Sequence, residues 1–194
     1  MSFFESFRVP DSALPPRLPR PAWARPDAVI PGSVPAELIL ARTEEAAIAV
    51  GSVRVYPNGF EFTAHVRLRR EPEPGGLFAD PFELQRPGRN VPAGALRLGI
   101  MYADDRRAAT AGGPGLPADD PRCLILQPDG GGGDDLSYDQ DFWVHPLPPP
   151  GPVTLIASWP RQGITEARAE LDGAAIGQAA QRAVILWPDE PDTL

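Results

Sequence analysis

Residues 56–69 read Tyr-Pro-Asn-Gly-Phe-Glu-Phe-Thr-Ala-His-Val-Arg-Leu-Arg. Pro57 sits where a type I turn wants its fixed φ and Gly59 where a left-handed residue follows, so Tyr56 to Phe60 predicts a hairpin. From Phe60 the pattern alternates without a break. Phe60, Phe62, Ala64, Val66 and Leu68 fall on one face, and Glu61, Thr63, His65, Arg67 and Arg69 on the other. A period of two with one apolar face marks a half-buried antiparallel strand. Its polar face is left for solvent or for a binding surface.

Outward from this hairpin the chain stays β-like. Glu37 to Arg42 and Ala47 to Tyr56 are rich in branched residues, with Gly51 a bulge or close-approach point. Ala95 to Ala103 alternates with Leu96, Leu98, Ile100 and Tyr102 inward, and Asp104 to Arg107 makes a charged turn. Arg122 to Gln127 is continuously apolar and predicts a central strand covered on both faces. Phe142 to His145 and Val153 to Trp159 predict two aromatic strands, and Thr165 to Leu171 an edge strand with Glu166, Arg168 and Glu170 outward. Over residues 173–187 the period changes to three and four (Ile176, Ala179, Ala180, Ala183, Val184, Trp187). Asp172 is placed as N-cap, which predicts one amphipathic helix ended by Pro188. Residues 71–94 and 111–121 are long connections. About eight or nine short strands and one terminal helix predict a mainly all-β fold. The expected form is a jelly-roll-like antiparallel β-sandwich, with an open barrel as the second choice.

A chain of 194 residues with 42% apolar content supports one domain with a proper core. The 26 prolines and 19 glycines cluster between the apolar runs, as turns punctuate an all-β domain. Pro10, Pro15, Pro16, Pro19, Pro21, Pro26, Pro31 and Pro35 are interleaved with Arg17, Arg20 and Arg25. That spacing favours polyproline II and predicts an extended arm over residues 1–35, lying on the domain with Trp23 and Ile30 as anchors. A proline-motif ligand for an aromatic groove is the other reading of the arm. Residues 36–188 form the sandwich with its C-terminal helix, and residues 189–194 an acidic tail. A net charge of −8 argues against a phosphate-tracking surface, so no nucleic-acid partner is expected. Cys123 is the only cysteine, which excludes an internal disulfide and fits a reducing compartment. Glu5 stands where a signal peptide wants positive charge, and no apolar run approaches the roughly 18 residues of a membrane span. A cytoplasmic location without a membrane partner follows as the expectation.

Pro128 to Pro160 holds the candidate chemistry: the Gly130–Gly133 run, an acidic loop, two aromatic strands, and Pro148, Pro149 and Pro150 between them. This stretch is read as the corner of the sandwich, with the acidic rim as the functional candidate. Asp129, Asp134, Asp135, Asp139 and Asp141 offer hard oxygens on a glycine-flexible backbone, which suits calcium, although the spacing is not an EF-hand. Tyr138, Trp143, His145 and Trp159 beside them form a candidate site for a carbohydrate or cationic ligand. Core packing of a sandwich uses the same aromatics and is the preferred reading of them. The glycine run lacks the Lys and Ser/Thr of a phosphate loop. Two histidines, His65 and His145, and no Gly-x-Ser-x-Gly stretch leave no catalytic residue assigned. No cofactor is assigned either. A Cys123–His145 dyad is conceivable only if the sheet brings the pair together.

Gly130 to Gly133, the tract Trp143 to Pro152, Ser158-Trp159-Pro160 with Gly163-Ile164, the hairpin Tyr56 to Phe62 and Leu186-Trp187-Pro188 together resemble a group of short β-rich proteins of high-GC bacteria. The likeness covers about residues 29–188. That group has no assigned activity, so the resemblance implies none and transfers no residue roles. The leading expectation is a non-enzymatic protein-interaction or scaffold module. It would bind another protein, or its own copy, through a sheet face or the glycine-rich end. A small-ligand binder for carbohydrate or calcium and an unrecognised enzyme are the alternatives.

Overall fold

The hairpin forms where the alternation places it. In the computed structural model, which describes residues 20–70, 94–110 and 123–187, Tyr56 N–H donates to Gly59 O at 2.8 Å and the flanking strands pair antiparallel. The strands are β1 (Val29–Ile30), β2 (Gly32–Val34), β3 (Leu38–Arg42), β4 (Ala46–Val55), β5 (Phe60–Leu68) and β6 (Arg97–Met101). They continue as β7 (Arg107–Ala109), β8 (Ile125–Gly133), β9 (Ser137–His145), β10 (Pro152–Trp159), β11 (Ile164–Asp172) and β12 (Val184–Ile185), with one helix, α1 (Gly173–Ala180). No helix among the described residues is long and apolar enough to cross a membrane.

The larger sheet has the order β2-β4-β5-β9-β8, with β3 also paired to β4, and the smaller has β11-β10-β6-β7. The fold is thus all-β with antiparallel sheets, consistent with a sandwich, and one hydrophobic core draws residues from both sheets. Phe60, Phe62, Ala64 and Val66 from β5 face it with Phe142 and Val144 from β9, and Leu98, Ile100, Leu155 and Ala157 come from the smaller sheet. Phe62 stacks on Phe142 with ring centroids 5.4 Å apart. Strands β9 and β10 lie in different sheets, so Pro146 to Gly151 turn the corner between them, and Tyr102 OH donates to Pro146 O at 2.6 Å within that corner.

Four local expectations are corrected. The helix ends at Ala180 rather than running to residue 187, because Val184 and Ile185 are strand residues paired with Ile30 and Val29. Its predicted N-cap is present, with Asp172 accepting from Ala174 N–H at 2.8 Å, and Ile176 and Ala179 are buried in the core. The glycine run is strand, not loop. Gly131, Gly132 and Gly133 pair with Gln140, Asp139 and Tyr138 of β9. A Cβ on Gly133 would stand 2.0 Å from Ser137 O, so bare glycine lets β8 lie against its neighbour. The apolar run before it is not central: β8 is an edge strand, although Leu124, Ile125 and Leu126 are all buried. A continuous apolar run reports coverage of both faces, not a place in the middle of the sheet. Finally, Gly59 does not use left-handed backbone.

Gly59 is needed instead for close approach. A Cβ there would stand 2.4 Å from Val144 O and 2.6 Å from the Trp143 ring. Gly51 opens a β-bulge as expected, with Ser52 in the left-handed region at φ 53°. The strand Gly32–Val34 falls within the stretch assigned to the arm, and the sheet therefore begins before residue 36. The long connections at 71–93 and 111–122, the arm before residue 20 and the acidic tail lie outside the described residues.

Gly59→Ala is expected to destabilise the fold by about 3 kcal/mol, the upper end for overpacking, because the obstructing atom is backbone. Urea denaturation reads this as a lower midpoint at unchanged slope, and an unchanged midpoint refutes the packing role.

Candidate functional site

The outer face of the larger sheet carries the polar half of the β5 alternation. Register places Arg54 of β4 opposite Glu61, and on the other flank it pairs Glu61 with Trp143, Thr63 with Asp141 and His65 with Asp139. Directly opposed side chains in an antiparallel pair lie within interaction range, so each rung can form a contact. Thr63 Oγ1 donates to Asp141 Oδ1 at 2.5 Å, and His65 Nδ1 lies 3.0 Å from Asp139 Oδ1. Arg67 reaches diagonally to Asp139 at 2.6 Å, and Arg54 Nη2 reaches Asp141 at 3.4 Å. The His65 ring packs over Gly51, where an added Cβ would come within 3.3 Å of Nε2.

One end of this face is covered. Glu61 is 0% exposed although it points away from the core. Tyr56 OH donates to Glu61 Oε2 at 3.0 Å, and the Arg25 guanidinium pairs with Oε1 and also with Asp129 at 2.8 Å. Arg54 Nε is 3.0 Å from Oε2, but its N–H is not aimed at the oxygen, so that contact is ionic without a hydrogen bond. Burial, followed by the adjacent Glu61 carboxylate, pushes the Tyr56 hydroxyl up to about 12.

The cover is the segment around Trp23. Three consecutive carbonyls of this segment are held by side chains of the body. Asn58 Nδ2 donates to Ala22 O at 2.9 Å and to Ala24 O at 2.8 Å, and Trp143 Nε1 donates to Trp23 O at 2.8 Å. Trp143 also meets Tyr56 edge-on at 5.6 Å between centroids. Among the described residues, two buried side-chain polar atoms have no hydrogen-bond partner, Arg54 Nε and Asn58 Oδ1, and both belong to this cluster.

The residues picked out by sequence are dispersed. Trp143 is buried on the outer face, whereas Trp159 is buried in the core and Tyr138 packs against the core partly buried. They form no common aromatic platform. His145 donates from Nδ1 to Asn58 O at 2.7 Å, bracing the hairpin turn, and burial holds its pKa below the ordinary value. Asp134 accepts from Leu136 N–H, Ser137 N–H and Ser137 Oγ, which closes the β8–β9 turn and lowers its pKa. Asp129, Asp139 and Asp141 each face arginine, and Asp135 is half-exposed beside the turn. Among the described residues no three His, Cys, Asp or Glu side chains are gathered to hold a metal ion, so the calcium grouping is not assembled. Sequence reasoning missed Arg25, Arg54, Tyr56, Asn58 and Glu61. Hairpin register alone could have placed Arg54 beside Glu61.

The Arg67 hydrogen bond, with a further one from His65, holds the Asp139 carboxyl below its ordinary pKa. Asp139 therefore contributes stability above its unfolded pKa of about 3.9, and loses it as pH falls through the lower folded value. Asp139→Asn should flatten the fall in Tm below about pH 4, and an acid limb identical to that of the wild type would remove this contribution.

No family model, curated protein or solved structure matches this chain.

Proposed function

We propose that the protein is a non-enzymatic interaction module that binds an extended polypeptide of another protein on the outer face of its larger sheet. The observation that carries this reading is the capture of three consecutive main-chain carbonyls, those of Ala22, Trp23 and Ala24, by the Asn58 and Trp143 side chains. Side-chain donors aimed at main-chain acceptors grip a polypeptide whatever its side chains are, which is the physical basis of many peptide-binding surfaces. His65 is engaged by Asp139 and packed on Gly51, and His145 is engaged by a backbone carbonyl, so both serve the sheet's own bonding.

Peptides selected by display against the intact protein should shift the indole Nε1–H resonance of Trp143 when added to it. If no sequences are enriched, or if the shifts fall only on the smaller sheet, this reading fails.

A further inference from the structure

We infer that the cluster around Glu61 is an arginine-reading peptide site, filled in this structure by the chain's own Ala22–Arg25 and able to accept an arginine-bearing segment of another protein in its place. The inference rests on the polypeptide-binding reading above and names what that surface selects.

Arg25 reaches Glu61, the one glutamate among the described residues that is completely buried, and adds Asp129 on the other side. Both contacts are made by Nη1, and a guanidinium, which is more weakly hydrated than an ammonium and stays charged when covered, suits a buried carboxylate better. Arginine is thus the residue this position selects, while Asn58 and Trp143 select only an extended backbone. The own segment is an incomplete ligand. Asn58 Oδ1 stays buried without a hydrogen bond while it is bound. Buried polar atoms are nearly always satisfied, and an exception marks a group that a water, an ion or another ligand would complete. Release costs the segment little structure of its own. Pro21 and Pro26 bracket it and carry no N–H to leave unpaired, and its one internal main-chain bond is Ala24 N–H to Pro21 O at 2.8 Å.

A tethered segment competes at an effective concentration that reaches millimolar for short flexible links, so a free peptide gains access only when the tethered copy is weakened. The test uses the full chain carrying Arg25→Ala and a fluorescent synthetic peptide with the sequence of residues 20–27, followed by anisotropy. Arg25→Lys is run in parallel, because it keeps the charge beside Glu61 but replaces the weakly hydrated guanidinium with an ammonium, and circular dichroism verifies that both variants are folded. The peptide should bind the Arg25→Ala chain at least about tenfold more tightly than the wild type, with Arg25→Lys between them. The same peptide carrying Arg25→Ala should lose about tenfold or more on either variant. Equal binding of the two peptides overturns arginine reading while leaving the polypeptide surface standing. Absence of binding by either peptide to the folded variants overturns both.

Discussion

A carboxylate buried on the solvent side of a sheet is the constraint around which this molecule closes. Glu61 follows from the β5 alternation, which must place every second residue outward once Phe60 and Phe62 enter the core. Leaving such a charge buried after one of its partners is removed costs about 3–5 kcal/mol, so compensation has to be built nearby. Arg54 arrives from the adjacent strand, Tyr56 from the turn, and Arg25 from a segment remote in sequence. One buried acid thereby ties the start of the described chain to the middle of the larger sheet.

Positioning depends on the glycines as much as on the charges. Gly59 admits the Trp143 ring, and Trp143 in turn points its indole N–H at Trp23 O. His145 donates to Asn58 O, which holds the residue whose amide grips Ala22 and Ala24. The turn, the aromatic strand and the covering segment are therefore one mechanical unit. A change at any of these positions is felt at Glu61.

Period-two patterning was enough to read most of the strands, since β3 to β6 and β9 to β11 overlap the stretches that alternate or carry branched residues. What alternation cannot tell is which polar positions become covered by distant chain. Glu61 looks like a solvent residue from its neighbours, and the segment near Arg25, 36 residues away, completes its cover. Trp143 was equally ambiguous, because Phe142-Trp143-Val144 is apolar on both faces and either face could have been the core. Glycine misled in the opposite sense. Its freedom suggested a loop at residues 130–133, yet its small size is what allows β8 to pair with β9. The acidic residues nearby were legible as a group by count, while their separate arginine partners depended on strand register.

The order of strands in the larger sheet also bears on how the chain reaches this state. β4 and β5 are joined by a tight turn and can pair within microseconds, as isolated hairpins do. β9 pairs with β5 only across a stretch that contains β6, β7 and β8, since His65 and Asp139 are 74 residues apart. Non-local closures of this kind are slow, so β5 spends part of folding as an open edge. The outward row Glu61, Thr63, His65 and Arg67 puts charge and polarity along that edge while it waits. Charged residues on an unpaired strand discourage association with other chains. The residues that hold the sheet's outer face together are therefore also of the kind that keeps an unpaired β5 edge from joining other chains.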